Sequence, residues 1–366
     1  MSANATLGYE VFICDPVPMN VPGQIPNGER HMFSPLASTL IYGEADAVLA
    51  EAPLTVGQGQ AVGDWVEASG KHLTRIFASH GHGDHWFTAP MLAERFGAEV
   101  VASPGTIEQM RATVSARAAM WDKLWPDQIP PSPVTAVTVP GNRFTLEGHD
   151  LDIVEAGHAD TDDSAVLHAP DLDLVVAGDV IYNGVHQYLG ESADAGRDPW
   201  RRAIDIVKAL RPRWVVASHK NKDLDDDATR VISGTRRYLD DADNELTKNS
   251  NSVGFFNAML NRYPDRRLGA TVLWAGTSAL YRRSGDAGQD AVAGWFQPLS
   301  SRLSTMCSLR TSSQVDKRSS MEPAPPVLTG RIAPHHRAWH RMSALAALMA
   351  SRLANGTQSR RRGSSS

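Results

Sequence analysis

The chain contains few cysteines. Cys14 and Cys307 are the two in 366 residues, and they lie too far apart in sequence to form a thiolate metal motif or a redox pair. This usage disfavours a scaffold held by disulfides and a cysteine-rich zinc site. It is typical of proteins from a reducing compartment, so we expect a cytoplasmic location.

Long apolar runs are also missing. No segment approaches the roughly 18 consecutive apolar residues that a membrane span needs. The first twenty residues lack the basic segment and apolar run of a secretory signal. We therefore expect no membrane partner. The hydrophobic content of 42% is nevertheless enough to bury a sizeable core.

The charge is unevenly distributed along the chain. Residues 282–366 hold 13 basic and 4 acidic side chains, whereas residues 1–281 hold 23 basic and 37 acidic ones, a net charge of −14. Nucleic-acid binding needs a positive surface, so this acidic body does not favour a nucleic-acid partner. The basic segment is rich in Ser, Arg, Gly and Pro, and we predict that 282–366 is a disordered tail.

One short segment concentrates metal-binding side chains. His80, His82, Asp84 and His85 follow the pattern H-x-H-x-D-H directly after an apolar, β-branched run at 73–78. Imidazoles and carboxylates are ligands of zinc, iron and manganese. Glycines at the intervening positions 81 and 83 allow unusual backbone angles or close approach. The segment therefore predicts a metal site at a strand end.

Three further polar residues end apolar runs in the same way. His158, Asp179 and His219 each follow a predicted strand through a small residue. A single residue of this kind could simply face water. Three in the same local context, together with the first cluster, favour ligation of a metal.

The apolar periodicity predicts an α/β protein. Strands and helices alternate in each half of the chain, which indicates two sheets with helices on their outer faces, a four-layer α/β sandwich. The predicted strands are 40–42, 47–49, 73–78, 99–102, 134–139, 143–146, 151–154, 165–168, 172–177 and 214–217, and the predicted helices are 60–69, 90–96, 106–124, 200–210, 227–248, 252–262 and 268–281.

The complete set of candidate ligands resembles that of the metallo-β-lactamase-fold superfamily. The resemblance extends over about 10–281, which is the predicted domain, and the tail 282–366 lies outside it. It implies an αββα sandwich with a metal site at one edge of the paired sheets.

The resemblance also implies a role for each ligand. The first metal would be held by His80, His82 and His158, the second by Asp84, His85 and His219, and Asp179 would bridge the two. Zinc, two ions per chain, is the implied metal, with iron and manganese as alternatives.

The implied activity is that of a metal-dependent hydrolase. A hydroxide bridging two zinc ions would attack the carbonyl of an ester, thioester, lactone or amide in a small-molecule substrate. Asp84 would orient this nucleophile and carry its proton. His186, seven residues beyond Asp179, would donate a hydrogen bond to substrate, although an ordinary histidine of a surface loop is an equally good interpretation. The substrate and the oligomeric state stay open.

The sequence departs from better-known members at three points. Asp179 stands where metallo-β-lactamases of the commonest type have cysteine, which argues against that activity. Trp86 and Phe87 follow the motif in place of a small residue and glycines. Glu51 stands where an early aspartate is expected.

Three other classes of function remain as alternatives. An iron-dependent oxidoreductase of the same fold, similar to a sulfur dioxygenase, would use the same ligands. A nuclease is disfavoured by the acidic body and by the missing extra domain. A metal-stabilised binding protein is disfavoured by the complete ligand set, because structural zinc sites are usually closed and mononuclear.

Overall fold

A computed structural model describes residues 6–192, 197–266 and 268–281. The predicted tail, 282–366, lies outside the described residues. The strands are β1 Gly8–Cys14, β2 Leu36–Tyr42, β3 Asp46–Ala50, β4 His72–Phe77, β5 Glu99–Val101, β6 Arg143–Leu146, β7 His149–Gly157, β8 Ser164–Ala169, β9 Leu174–Val176 and β10 Trp214–Val216. The helices are α1 Val56–Ala68, α2 Ala89–Phe96, α3 Pro104–Ala116, α4 Trp121–Leu124, α5 Asp198–Ala209, α6 Ala228–Lys248, α7 Ser252–Arg262 and α8 Ala270–Tyr281.

The strands form two sheets of five. The first has the order β1-β2-β3-β4-β5, and the second has the order β10-β9-β8-β7-β6. In the first sheet β3, β4 and β5 run parallel, and in the second β9 and β10 run parallel. Each half of the chain therefore builds one mixed sheet.

The two sheets pack face to face through a shared apolar cluster. Val48 and Phe77 of the first sheet lie in this cluster with Leu151, Leu167 and Val176 of the second. Each of these side chains is almost fully buried. Because successive strand residues point to opposite faces, their neighbours along each strand must be covered from outside.

Helices provide that cover on both outer faces. Leu49 and Ile76 of the first sheet cluster with side chains of α1 and α2. Val175 and Val215 of the second sheet cluster with side chains of α5 and α6. Three apolar layers thus separate four layers of secondary structure, so the predicted αββα sandwich is confirmed.

Two predicted elements are wrong. Residues 134–139 make a single parallel bridge, between Val137 and Val101, and no continuous strand. The helix predicted for 106–124 ends at Ala116, and a 3₁₀ turn, Arg117–Ala119, separates it from α4.

The start of α1 also differs from its prediction. The helix begins at Val56, four residues before the predicted start at 60, with a capping box between Thr55 and Gln58. Gly57 and Gly59 weaken the helical pattern of this first turn. The cap satisfies backbone N–H groups that would otherwise have no partner.

Backbone hydrogen bonds join the two sheets at one edge. The Ala165 N–H of β8 donates to the Ser79 carbonyl just beyond β4, at 2.8 Å, and the Ala37 N–H of β2 donates to the Ser218 carbonyl just beyond β10, at 2.7 Å. These bonds hold the carboxyl ends of β4 and β10 close together.

Among the described residues, every helix is too short or too polar to cross a lipid bilayer.

Candidate metal centre

The polar residues singled out in the sequence lie beyond the carboxyl ends of neighbouring strands. The turn containing the H-x-H-x-D-H motif follows β4, His158 follows β7, Asp179 follows β9 and His219 follows β10. Glu51 directly follows β3. Loops at the carboxyl ends of strands are where α/β folds place their binding and catalytic groups.

The glycines of the motif permit close packing of the turn. A Cβ on Gly81 would lie 2.3 Å from the Cβ of Gln109, and a Cβ on Gly83 would lie 2.2 Å from the Phe87 ring. Neither glycine has a φ in the left-handed region. Of the two reasons offered by the sequence, close approach is therefore the one that applies.

Each of four histidines directs one ring nitrogen toward a common centre. The second ring nitrogen of each contacts a hydrogen-bond partner elsewhere. The Nδ1 atoms of His80 and His85 contact Ser79 Oγ (2.9 Å) and Glu51 Oε2, respectively. His219 Nδ1 lies 2.8 Å from the Pro35 carbonyl oxygen.

The fourth histidine, His82, contacts its partner through Nε2, whereas the other three use Nδ1. His82 Nε2 lies 3.0 Å from Glu191 Oε1, so its Nδ1 faces the centre. Partners of this kind fix the tautomer and the orientation of histidines that bind metal ions.

Three aspartates complete the cluster of potential ligands. Asp84 Oδ2 lies 3.2 Å from the Nε2 atoms of both His85 and His219. Asp160 Oδ2 lies 3.2 Å from His82 Nδ1, and Asp179 Oδ1 lies 3.7 Å from His85 Nε2.

These side chains form three overlapping groups, and in each the potential ligand atoms lie within 4.8 Å of one another. The groups are His80, His82 and Asp160; Asp84, His85 and His219; and His80, His85 and Asp179.

The buried donor atoms of this cluster fit a metal ion. His80 Nε2, His85 Nε2, Asp179 Oδ1 and both carboxylate oxygens of Asp160 are buried and have no hydrogen-bond partner. Unpartnered buried polar atoms are costly, and buried carboxylates especially so. Divalent cations in the overlapping groups would supply the missing partners.

Asp179 lies near residues predicted for both metals, and its role as a bridging ligand stays a prediction. It contacts His85, of the group predicted for the second metal, and it shares a potential site with His80, of the first. Its Oδ2 accepts a hydrogen bond of 2.6 Å from the Tyr182 hydroxyl. That bond fixes the orientation of the carboxylate.

His158 does not join these groups in the structure. Its Nδ1 lies 2.6 Å from Asp162 Oδ1 and its Nε2 lies 3.3 Å from Ser192 Oγ. The position beside His82 that was predicted for His158 is occupied by Asp160, two residues further along the chain. The backbone turns at Gly157, just before His158, where φ is +81°. The role of His158 as a ligand stays a prediction.

Two glutamates support the histidines. Glu51 is fully buried, and its carboxylate accepts from the Ser79 N–H at 3.0 Å and contacts His85. It has a φ of +69°, a strained conformation for this residue type that fits a functional site. Glu191, which the sequence analysis missed, contacts His82 and accepts from the Thr161 hydroxyl. No local pattern distinguishes it from other loop acids.

His186 has a different environment from the predicted one. The side chain is fully buried, its Nδ1 lies 2.9 Å from the Tyr238 hydroxyl, and it does not line the cavity beside the metal centre. Burial lowers its pKa to about 3. These contacts favour a structural role over contact with substrate.

The pKa values within the cluster shift in opposite directions. Burial, with the neighbouring His85, holds the pKa of His80 well below its ordinary value. Burial alone would lower the pKa of His82, but Asp160 raises it well above the ordinary value. Burial alone would raise the pKa of Asp84, but His85 holds it well below. Adjacent groups with divergent shifts are typical of functional sites.

A cavity opens onto the cluster. Asp84, Asp160, Asp179 and His219 line one end, and Tyr182 lies beside them. The remaining wall is largely apolar, and its members include Met19, Phe33, Met120, Trp121, Val272 and Ala275. Trp86 and Phe87 do not line it; Phe87 instead packs edge-on against Trp121, with ring centroids 5.3 Å apart.

Replacing Gly81 by alanine should destabilise the motif turn. The new Cβ would overlap the Cβ and backbone of Gln109, and overpacking of this kind costs about 1–3 kcal/mol. Urea unfolding and metal content would measure the effect. Gly234→Ala, in an open position on α6, is the matched control and should leave stability unchanged or raise it. Equal behaviour of the two variants would contradict the role assigned to Gly81.

Glu51→Gln should weaken metal binding by about 10–100-fold. Ser79 and His85 contact different oxygens of Glu51, and the amide replaces one of these oxygens with an NH₂ group that cannot accept a hydrogen bond. Competition with a chromophoric chelator would measure the affinity. Glu147→Gln is the control, because that carboxylate also accepts backbone N–H groups but lies apart from the centre. An unchanged affinity in Glu51→Gln would refute the assigned role.

His186 should make folding depend on pH. Its folded-state pKa of about 3 lies below the ordinary 6.5, so the unfolded chain binds the proton first as pH falls. Stability is therefore lost from about pH 6.5 downwards, by up to about 1.4 kcal/mol per pH unit. Unfolding free energies at several pH values should show a shallower slope in His186→Gln than in the wild type or in the exposed control His72→Gln. Parallel slopes would argue against a neutral, buried His186.

Comparison with known proteins agrees with this geometry. The family model described as the metallo-beta-lactamase superfamily matches residues 38–219. A hydroxyacylglutathione hydrolase of Rhizobium meliloti is 27% identical over 134 residues, which cover 36% of this chain and 43% of the relative. The match thus spans less than half of that relative's length.

A solved structure is also similar in fold. The metallo-beta-lactamase family protein from Thermus thermophilus superimposes with a TM-score of 0.50 at 17% identity, covering 76% of this chain and 95% of that one. A metallo-beta-lactamase from Pontibacter korlensis gives a TM-score of 0.44 at 20% identity, covering 57% and 88%. With its matching domain and its two sheets between helices, this chain belongs to the metallo-beta-lactamase superfamily.

Proposed function

We propose that the protein is a metal-dependent hydrolase that cleaves the acyl bond of a small-molecule ester, thioester, lactone or amide, with two zinc ions per chain. One observation carries the proposal: four histidines, each tied through one ring nitrogen, direct the other nitrogen toward three aspartates at the end of a cavity. The similarity to a protein named hydroxyacylglutathione hydrolase supports hydrolysis of an acyl bond.

The metal ligands follow from the overlapping groups. His80, His82 and Asp160 would hold one ion. Asp84, His85 and His219 would hold the other, with Asp179 between them. When bound, such ions lower the pKa of water toward 7 and polarise a carbonyl oxygen.

The side chains around the cavity have separate tasks. Asp84 lines the cavity and its neighbour His85 keeps it ionised, so it can orient the attacking water and accept its proton. Tyr182 holds Asp179 through its hydroxyl. Water adds to the carbonyl carbon, the bond to the leaving group breaks, and the proton passes to the departing oxygen, sulfur or nitrogen.

A panel of substrates assayed with defined metals tests this function. Zinc-loaded and iron-loaded protein would be assayed with esters, thioesters, lactones and β-lactams, alongside metal analysis of the protein as purified. Hydrolysis by the zinc form supports the proposal. Retention of iron on purification without hydrolysis of any substrate would favour the oxidoreductase instead.

Asp84→Asn should reduce kcat by at least about 100-fold, because the amide neither accepts the proton nor carries the charge. Steady-state kinetics on the best substrate of the panel would measure it, with metal content determined in parallel. Asp205→Asn, an exposed carboxylate on α5, is the control for loss of charge. Near wild-type kcat in Asp84→Asn would rule out this assignment.

A further inference from the structure

The part of the chain that the structure describes places no lysine or arginine on the cavity wall beyond the metal centre. Among the described residues that line the cavity, the acidic ones are Asp84, Asp160, Asp179 and Glu191. The basic residue next to the wall, Arg117, directs its guanidinium to Asp122 and to the carbonyl of Pro130. A negative group on the substrate, away from the reacting bond, would therefore lose hydration without gaining a counter-ion.

The polar groups of this wall already have partners. The Thr113 hydroxyl donates to the Gly81 carbonyl, and the Thr271 hydroxyl accepts from the Met32 N–H. Both hydroxyls are therefore already satisfied within the protein. The wall thus gives a substrate apolar contacts and few polar ones.

The apolar wall comes from three separate parts of the chain. Phe33 lies in the segment before β2, Met120 directly precedes α4 and Trp121 begins it, and Val272 and Ala275 lie on α8. Trp121 is rigidly held, because it stacks on Trp125 with ring centroids 5.7 Å apart. Aromatic, methionine and aliphatic side chains around one opening suit a flexible hydrocarbon chain.

We propose that the substrates are uncharged esters or lactones with an apolar acyl chain, which lies against Met120, Trp121 and Val272 while its carbonyl is at the aspartate-lined end. This substrate class rests on the proposed acyl hydrolase function. Water adds to the carbonyl, the carbon–oxygen bond breaks, and the products are the carboxylic acid and the alcohol. Anionic thioesters, such as those of glutathione, are poor substrates.

Chain length gives the first test. With zinc-loaded full-length protein, kcat/KM for 4-nitrophenyl acetate, butyrate, hexanoate and octanoate should rise about twofold to fourfold per added methylene group. A glutathione thioester of the same acyl length should be at least tenfold poorer. A flat profile with chain length, or a preference for the glutathione thioester, overturns the proposed substrate class while leaving acyl hydrolysis intact.

A charge in the wall gives the second test. Met120→Lys should reduce kcat/KM for the octanoate ester by at least tenfold and that for the acetate ester by less than threefold. Val114→Lys, on the exposed side of α3, is the matched control and should change neither. Equal losses for both esters in Met120→Lys would contradict a chain-binding role.

Binding of neutral alcohols tests the apolar site without any catalytic turnover. Calorimetry with 1-butanol, 1-hexanol and 1-octanol should give affinities that increase with chain length in the wild type and in Val114→Lys, but not in Met120→Lys. Affinities that do not increase refute the apolar site even if no substrate is hydrolysed. Increasing affinities without hydrolysis would support the site and reject the proposed reaction.

Discussion

The burial of four carboxylates at one edge of the paired sheets is the constraint on which the site depends. Glu51, Asp84, Asp160 and Asp179 are almost completely removed from solvent. A buried carboxylate is unfavourable unless it is paired, and removing one partner leaves an uncompensated charge. The imidazoles supply part of the compensation, and the unpartnered atoms of the cluster need a cation for the rest. The strand ends, the glycine turn and the histidine tethers keep these groups at ligand distance.

Much of this arrangement is predictable from the sequence, because the candidate ligands lie where buried strands end. An apolar run that stops at a small residue and then a polar one identifies where a buried strand leaves the sheet, as before Asp179 and His219. β9 and β10 run parallel, so their carboxyl ends lie at the same edge. The four-layer architecture follows for a similar reason, since buried strands of two sheets need helices on both outer faces.

The parts that were not predictable depend on loop conformation. Asp160 lies beside His82, whereas His158 contacts Asp162 and Ser192, and a residue pattern does not specify the loop conformation that places them so. Glu191 approaches His82 from a loop 109 residues away in sequence. His186 lies on the loop after Asp179, but its side chain turns inward to Tyr238 instead of toward the metals. Each outcome depends on long-range packing, which periodicity does not report.

The cavity separates the reaction from the selection of substrate. The candidate ligands lie at strand ends, where the sheets fix them, whereas the apolar wall comes from loops and helices that carry no ligand. Phe87, two residues after the motif, packs on Trp121 of that wall, and the Thr113 hydroxyl of the wall donates to the Gly81 carbonyl, so the motif turn and the wall are in contact. Phe33 of the wall packs edge-on against His219, with ring centroids 6.0 Å apart, whereas Val272 and Ala275 lie on α8, which carries no candidate ligand. Substitutions on α8 can therefore change which acyl chain fits without removing a contact to a ligand. A change at Phe87 would alter both, because it contacts the wall on one side and Gly83 of the motif on the other.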